Sequence, residues 1–178
     1  MMTDEITPPE TEQRPPLSKS SEKNLAMLAH GSILLTFLAG ISTGGLGAVV
    51  AAFLPLVLWF FYRDRSRFVA FHAMQATLFQ LAVLGGTLVA AIVVALVLLV
   101  VWLVTGILSI ILIGLLLIPV ALLLTIALGL LLPLIPIAAV GYGLFGVWEI
   151  SNDREFRYEW LADWLTKRNR GQLFLQEG

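Results

Sequence analysis

Four side chains could do chemistry in a chain that is otherwise almost all hydrocarbon: His30, His72, Gln75 and Gln80. Each sits in an apolar stretch, and a polar group inside a membrane-spanning segment is by default a candidate functional site. A neutral imidazole can accept, donate or ligate through either ring nitrogen. Gln75 lies one helical turn beyond His72, so His72, Gln75 and Phe79 share a helix face. Three chemistries fit this set. The polar groups can bond across helices and hold them together, or they can line a path for a small polar substrate. Two histidines at matching depth on different helices also permit axial ligation of a haem or chlorophyll-type pigment. Nothing else in the chain identifies such a site, so no cofactor and no metal is assigned.

What surrounds these residues determines how they are positioned. Of 178 residues, 58% are hydrophobic and 13% charged, against about 45–50% and about 25% in a soluble domain. No Asp, Glu, Lys or Arg occurs from Phe68 to Trp148. That stretch reads as membrane spans, each needing about 20 apolar residues. The net charge of −1 argues against a nucleic-acid partner, and the absence of cysteine excludes disulfides, thiolate metal sites and cysteine nucleophiles. No phosphate loop, HExxH, GxSxG or paired intramembrane carboxylate is present, so the chain does not read as an enzyme.

Charge placement sets the topology. The basic residues fall in three groups: Arg14, Lys19 and Lys23; Arg63, Arg65 and Arg67; and Arg154, Arg157, Lys167, Arg168 and Arg170. Basic residues beside spans favour the cytoplasmic side, so an even number of spans separates each group from the next. The reading is an all-α integral membrane protein of the cytoplasmic membrane with both termini cytoplasmic. Its four-span bundle occupies residues 21–150, with spans near 24–40, 46–62, 70–104 and 107–148. The last is broken by Pro119, Pro133 and Pro136, Pro55 kinks the second, and Thr105-Gly106 marks the turn between the third and fourth. A five-span arrangement is the alternative. Trp59, Tyr62, Trp102 and Trp148 mark the aromatic belts.

The ends carry their own expectations. Residues 1–20, with Asp4, Glu5, Glu10, Glu12 and two Pro-Pro pairs, read as a disordered cytoplasmic tail. At the other end Asn152 and Glu155 suggest a helix start. Phe156, Trp160, Leu161, Trp164 and Leu165 then recur at helical spacing, making 151–178 an amphipathic interfacial helix and tail anchored by Trp160 and Trp164. In the loop, Arg63, Asp64, Arg65 and Arg67 hold topology or contact lipid headgroups, and Ser66 caps the following helix. Gly86-x-x-x-Ala90 and Ala139-x-x-x-Gly143 fit the small-residue pattern of close helix packing.

The motifs LAMLAH at 25–30, FLPLVLW at 53–59 and YRDRSRFVAFHAMQATLFQ at 62–80 resemble a bacterial family of uncharacterised proteins related to the Tic-Twenty subunit of the chloroplast inner-envelope translocon. The positions that carry the resemblance are His30, Pro55, Asp64, Ser66, Phe68, His72 and Gln75. It implies a small four-span helical protein with both ends on one side. Together these features suggest a non-enzymatic accessory, assembly or translocation-related subunit whose partners are the lipid bilayer and other membrane subunits or copies of itself. The alternative is a small transporter or channel-like protein with a path lined by His30, His72, Gln75 and Gln80.

Overall fold

A computed structural model describes residues 17–159. Among them the chain forms six helices and no strand: α1 (Lys19–Ser42), α2 (Leu46–Ala51), α3 (Leu54–Tyr62), α4 (Arg67–Ser109), α5 (Ile113–Leu131) and α6 (Leu134–Ser151). Three stretches are long and apolar enough to cross a membrane: Lys19–Ser42, Arg67–Ser109 and Ile113–Ser151, the last spanning α5 and α6. Leu46–Tyr62 is a shorter apolar stretch.

Local chemistry explains the element boundaries. Ser18 caps α1 by accepting from the Ser21 amide, and Ser66 caps α4 by accepting from the Val69 amide at 3.2 Å. α1 turns back through Gly44 and Gly45, whose φ values of 63° and 101° suit a residue without a Cβ. Pro55 stands at the start of α3, where a missing N–H costs no helical bond. The chain breaks at Ala52-Phe53 just before it, so the kink expected from Pro55 is a full interruption between α2 and α3.

The turn expected at Thr105-Gly106 lies instead at 110–112, where Leu112 adopts φ 64°. α4 runs on through Gly85, Gly86 and Gly106 to Ser109 without interruption. Glycine weakens a helix by about 1 kcal/mol, which is less than the several kcal/mol of leaving backbone groups unpaired in hydrocarbon. At about 1.5 Å per residue, the 43 residues of α4 extend about 64 Å, roughly twice a bilayer core of about 30 Å.

Packing divides the molecule in two. α1 lies against α6, α4 and the α2–α3 segment, and α3 against α4. This lower bundle holds the buried cluster Ala26, Ile33, Phe79, Ala139, Ile150, Phe156 and Tyr158, with a second cluster of Ala29, Ala73 and Ala76. Above it, the outer half of α4 and all of α5 form an apolar hairpin whose helices, among the described residues, pack on each other and only marginally on α6. Leu96, Leu99, Leu116 and Leu123 are all exposed there. The small-residue expectation holds for one face. A Cβ on Gly143 would meet Ile33 Cγ2 at 2.6 Å, whereas Gly86 has no neighbour within 4 Å of that position.

The C-terminal expectation needs correction where it falls on described residues. Asn152 closes α6, its backbone N–H reaching Trp148 and Glu149 carbonyls, rather than opening a new helix. Residues 154–158 are not helical, and Phe156 and Tyr158 turn into the bundle while Glu155, Arg157 and Glu159 face out. The expected Trp160 and Trp164 anchors, and residues 1–16 of the tail expected over 1–20, lie outside the described residues, while Ser18 caps α1 and Lys19 and Ser20 open it.

Candidate functional site: a buried polar junction at the base of the bundle

Three elements meet at the foot of the lower bundle: α1, α4 and the segment after α6. His30 lies three residues before Ile33 on the buried face of α1, and His72 and Gln75 lie on the buried face of α4. His30 Nε2 lies 3.1 Å from His72 Nδ1, and His30 Nδ1 lies 3.1 Å from the Tyr158 hydroxyl. Tyr158 also donates its backbone N–H to Gln75 Oε1 at 3.2 Å. Its ring stacks on Phe79 with centroids 4.1 Å apart and planes 11° apart, the offset or parallel geometry that adds about 0.5–1.5 kcal/mol beyond burial. Phe156 closes the edge, its ring 5.2 Å from that of His30. Gly146 makes the room: a Cβ there would stand 2.5 Å from Phe156 Cε1.

The electrostatics follow from burial. His30, Gln75 and Tyr158 are each at most 1% exposed. Burial, aided by Tyr142, pushes the Tyr158 phenol well above its ordinary range, so it stays a neutral hydroxyl that can donate. Each contact in the Tyr158–His30–His72 chain needs one donor and one acceptor. The chain is therefore satisfied by two neutral imidazoles running in either direction, and two doubly protonated rings would set N–H against N–H. Among the described residues Gln75 Nε2 is buried without a partner, a cost to the folded state that the other contacts of the junction offset.

One helical level deeper, Gln80 links α4 to α1. Its Oε1 accepts from Thr36 Oγ1 and its Nε2 donates to Ser32 Oγ, both at 2.7 Å. Outside the bundle, Lys23 Nζ meets Asp153 Oδ1 at 2.7 Å and Arg157 lies over the Phe71 ring, so the starts of α1 and α4 and the end of α6 share one end of the molecule. Arg63 pairs with Asp64 at 3.5 Å and lies over the Trp59 and Phe60 rings. Arg65 lies over Tyr62, and Arg67 is exposed at the start of α4.

All four intramembrane candidates are thus buried and engaged within the bundle: His30, His72 and Gln75 meet in one junction, and Gln80 makes a second. The histidines face each other more closely than axial ligands could. Two nitrogens across one metal stand roughly 4 Å apart, twice a metal–nitrogen distance of about 2.0–2.1 Å. Among the described residues no group of three or more His, Cys, Asp or Glu could hold a metal. The residues missed by sequence reasoning are Tyr158, Ser32 and Thr36. Tyr158 carried a signal: Glu155-Phe-Arg-Tyr-Glu159 alternates charged and aromatic residues with period two, the pattern of an extended segment with one face buried.

The fold and junction define a class, a small helical membrane protein whose last described segment is stitched into its own bundle. The chain belongs to the magnetosome magnetite crystal formation protein family (MamF/MmsF), whose model matches residues 21–165. That match overturns the resemblance to the Tic-Twenty-related family. The positions behind the resemblance have architectural duties here: Ser66 caps a helix, Pro55 starts one, Asp64 pairs with Arg63, and His30 meets His72. Such duties recur wherever short helical hairpins pack, so they mark an architecture and not a lineage. No curated protein and no solved structure matches the chain.

Proposed function

We propose that this protein is a non-enzymatic, four-span accessory subunit of a magnetosome-type membrane, acting in the assembly of the compartment in which magnetite crystals form. The observation that carries this reading is the family match over residues 21–165. The site chemistry agrees with it. The intramembrane imidazoles and the carboxamide oxygens of both glutamines are spent on holding α1, α4 and the 154–158 segment together. The Lys23–Asp153 pair supports an even number of crossings, with α1, α2–α3, α4 and α5–α6 as the four spans. The basic residues at that end favour the cytoplasmic side. The loop from Arg63 to Arg67 then meets anionic headgroups, and the bilayer and neighbouring membrane subunits are the partners.

The test is replacement of the gene by Tyr158→Ala in a magnetosome-forming host, with crystal size and number read by electron microscopy. Altered crystals with the protein still membrane-bound are expected. Crystals unchanged even on complete deletion would overturn the reading. A topology reporter at Gly178 and another at Gly44 are expected on opposite sides of the membrane. Reporters on the same side would restore the five-span alternative.

A further inference from the structure

α4 is too long for the membrane that its own base occupies. Its 43 residues extend about 64 Å, and a membrane-spanning helix tilts by about 0–40°. Even at 40° it covers about 49 Å, against a core of about 30 Å. The helix runs unbroken through Gly85 and Gly86, so its outer half does not fold back. Arg67 holds the first turn at the charged base, and the excess therefore emerges on the opposite side.

Three elements mark the level at which the first core ends. At about 1.5 Å per residue from Arg67, Thr87 lies about 30 Å along α4. Gly45, Thr87 and Pro133 line one side cavity, so the α1–α2 turn, the middle of α4 and the α5–α6 junction stand together. Ser42 and Thr43 are exposed in that turn. Beyond this level the hairpin of outer α4 and α5 forms an arm about 33 Å long.

The arm is apolar on every open side. No Asp, Glu, Lys or Arg occurs in it. On α4 only one strip at helical spacing, Val94, Leu98, Val101 and Thr105, is withdrawn from the surface. A protein docked on one side would leave the other sides bare. The tip is apolar too, with Ile110 and Leu112 83% and 71% exposed. Hydrocarbon admits backbone whose polar groups are satisfied internally. The amides of Ile110, Ile111 and Leu112 each donate to the carbonyl three residues back, at 3.1–3.3 Å. The Ser109 hydroxyl donates to the Thr105 carbonyl, and the Trp102 indole to Thr125 Oγ1.

We propose that the arm bridges membranes, its distal part seated in the hydrocarbon of a second lipid bilayer that faces the side opposite the charged base. A bilayer with its headgroups measures about 40–45 Å, against about 30 Å of core, so two facing headgroup layers fill about 10–15 Å. The arm crosses them where its side chains are smallest, at Gly85, Gly86, Ala90 and Ala91 on α4 and Ala127 and Gly129 on α5. About 20 Å of arm remain for the second core. The tip therefore ends inside hydrocarbon, short of the far headgroups, as its lack of polar side chains requires.

This inference rests on the four-span membrane reading, and the experiment separates the two. The full chain, which has no cysteine of its own, is reconstituted in phosphatidylcholine nanodiscs, whose two faces are both open. A nitrobenzoxadiazole fluorophore is attached at Ile110→Cys in the tip or at Leu35→Cys on the open face of α1. Quenching doxyl-phosphatidylcholine is placed either in the disc or in added phosphatidylcholine vesicles. The tip label is expected to lose emission to doxyl lipid in the vesicles and not to doxyl lipid in the disc. The Leu35 label is expected to do the reverse. Leu116→Cys replaces Ile110→Cys should that variant misfold. Ile111→Arg weakens binding of discs to vesicles about a hundredfold, the cost of one charge placed in hydrocarbon. A tip label quenched by disc lipid shows an arm lying in its own bilayer and overturns the bridge. A tip label quenched by neither, or vesicle binding indifferent to Ile111→Arg, overturns it equally. In each case a Leu35 label quenched by disc lipid leaves the membrane reading standing, and a Leu35 label that disc lipid does not quench overturns both.

Discussion

The lower bundle and the α4–α5 arm above it are made of nearly the same aliphatic residues, yet different neighbours touch them. In the lower bundle each helix finds others, and polar atoms from His30, His72, Gln75, Gln80 and Tyr158 stitch three separate elements. In the arm the two helices have each other, with the Trp102 indole donating to Thr125 Oγ1 at 3.0 Å, and among the described residues nothing covers their exposed outer faces. Apolar content therefore does not distinguish a core from a lipid-facing surface. Polar residues do, because inside hydrocarbon they are tolerated chiefly where they face a partner. In this chain the bonded polar groups show which helices pack.

This contrast can be broken most severely at Tyr158. Tyr158→Ala removes a stacked ring, a hydroxyl bond and a buried volume, and is expected to destabilise the lower bundle by about 3–5 kcal/mol, as large aromatic truncations do. Thermal unfolding in detergent checks this. Tyr158→Phe isolates the hydroxyl and should cost about 1–3 kcal/mol through the unpaired imidazole nitrogen it leaves.

Gly146→Val comes next. Its side chain would occupy the place of the Phe156 ring, and overpacking of this kind costs about 1–3 kcal/mol. Limited proteolysis within 152–158 is the direct readout, with faster cleavage expected as Phe156 is displaced. Unchanged cleavage would mean that the segment is not held by the junction.

The smallest effect sharpens the comparison from the other side. Leu116→Ala in the arm, at a side chain 79% exposed, is expected to change stability by no more than about 0.5 kcal/mol. A loss of several kcal/mol in membranes would show that the outer face of the arm is covered there by protein.

How far the sequence discloses this arrangement differs by residue. The similar depth of His30 and His72 is legible, because charged boundaries at Lys23 and Arg67 lie a few residues before each; that the two rings bond each other directly is not. The Ser66 cap is legible from standard helix-end chemistry, whereas Pro55 signals a kink where the helix is in fact interrupted. Tyr158 falls outside the helical spacing that runs through Phe156 and Trp160, and its burial shows only in the period-two alternation of Glu155 to Glu159. The turn at 110–112 had no sequence signal, because a leucine enters the left-handed region only under packing. Here Gly114 lies against Ser109 and the Thr105 carbonyl, closer than any side chain would allow. Gly85-Gly86 and Gly106 suggested breaks that hydrocarbon suppresses. The family could not be read from the loop motif, since helix caps and interhelical polar contacts recur across unrelated bundles.

The His30–Tyr158 bond joins positions 128 residues apart, and this has a consequence in time. A chain is synthesised from its N-terminus at about 5–20 residues per second, so α1 and α4 leave the ribosome well before Tyr158 exists. Until then the imidazoles can meet only each other, and Gln75 lacks the backbone N–H it later accepts from. Contacts between such distant positions form slowly because the loop between them must first be closed. The junction therefore completes only after α6 has been made and inserted, and a chain truncated before Tyr158 would carry an open base. Its closure is a record that the whole bundle was delivered.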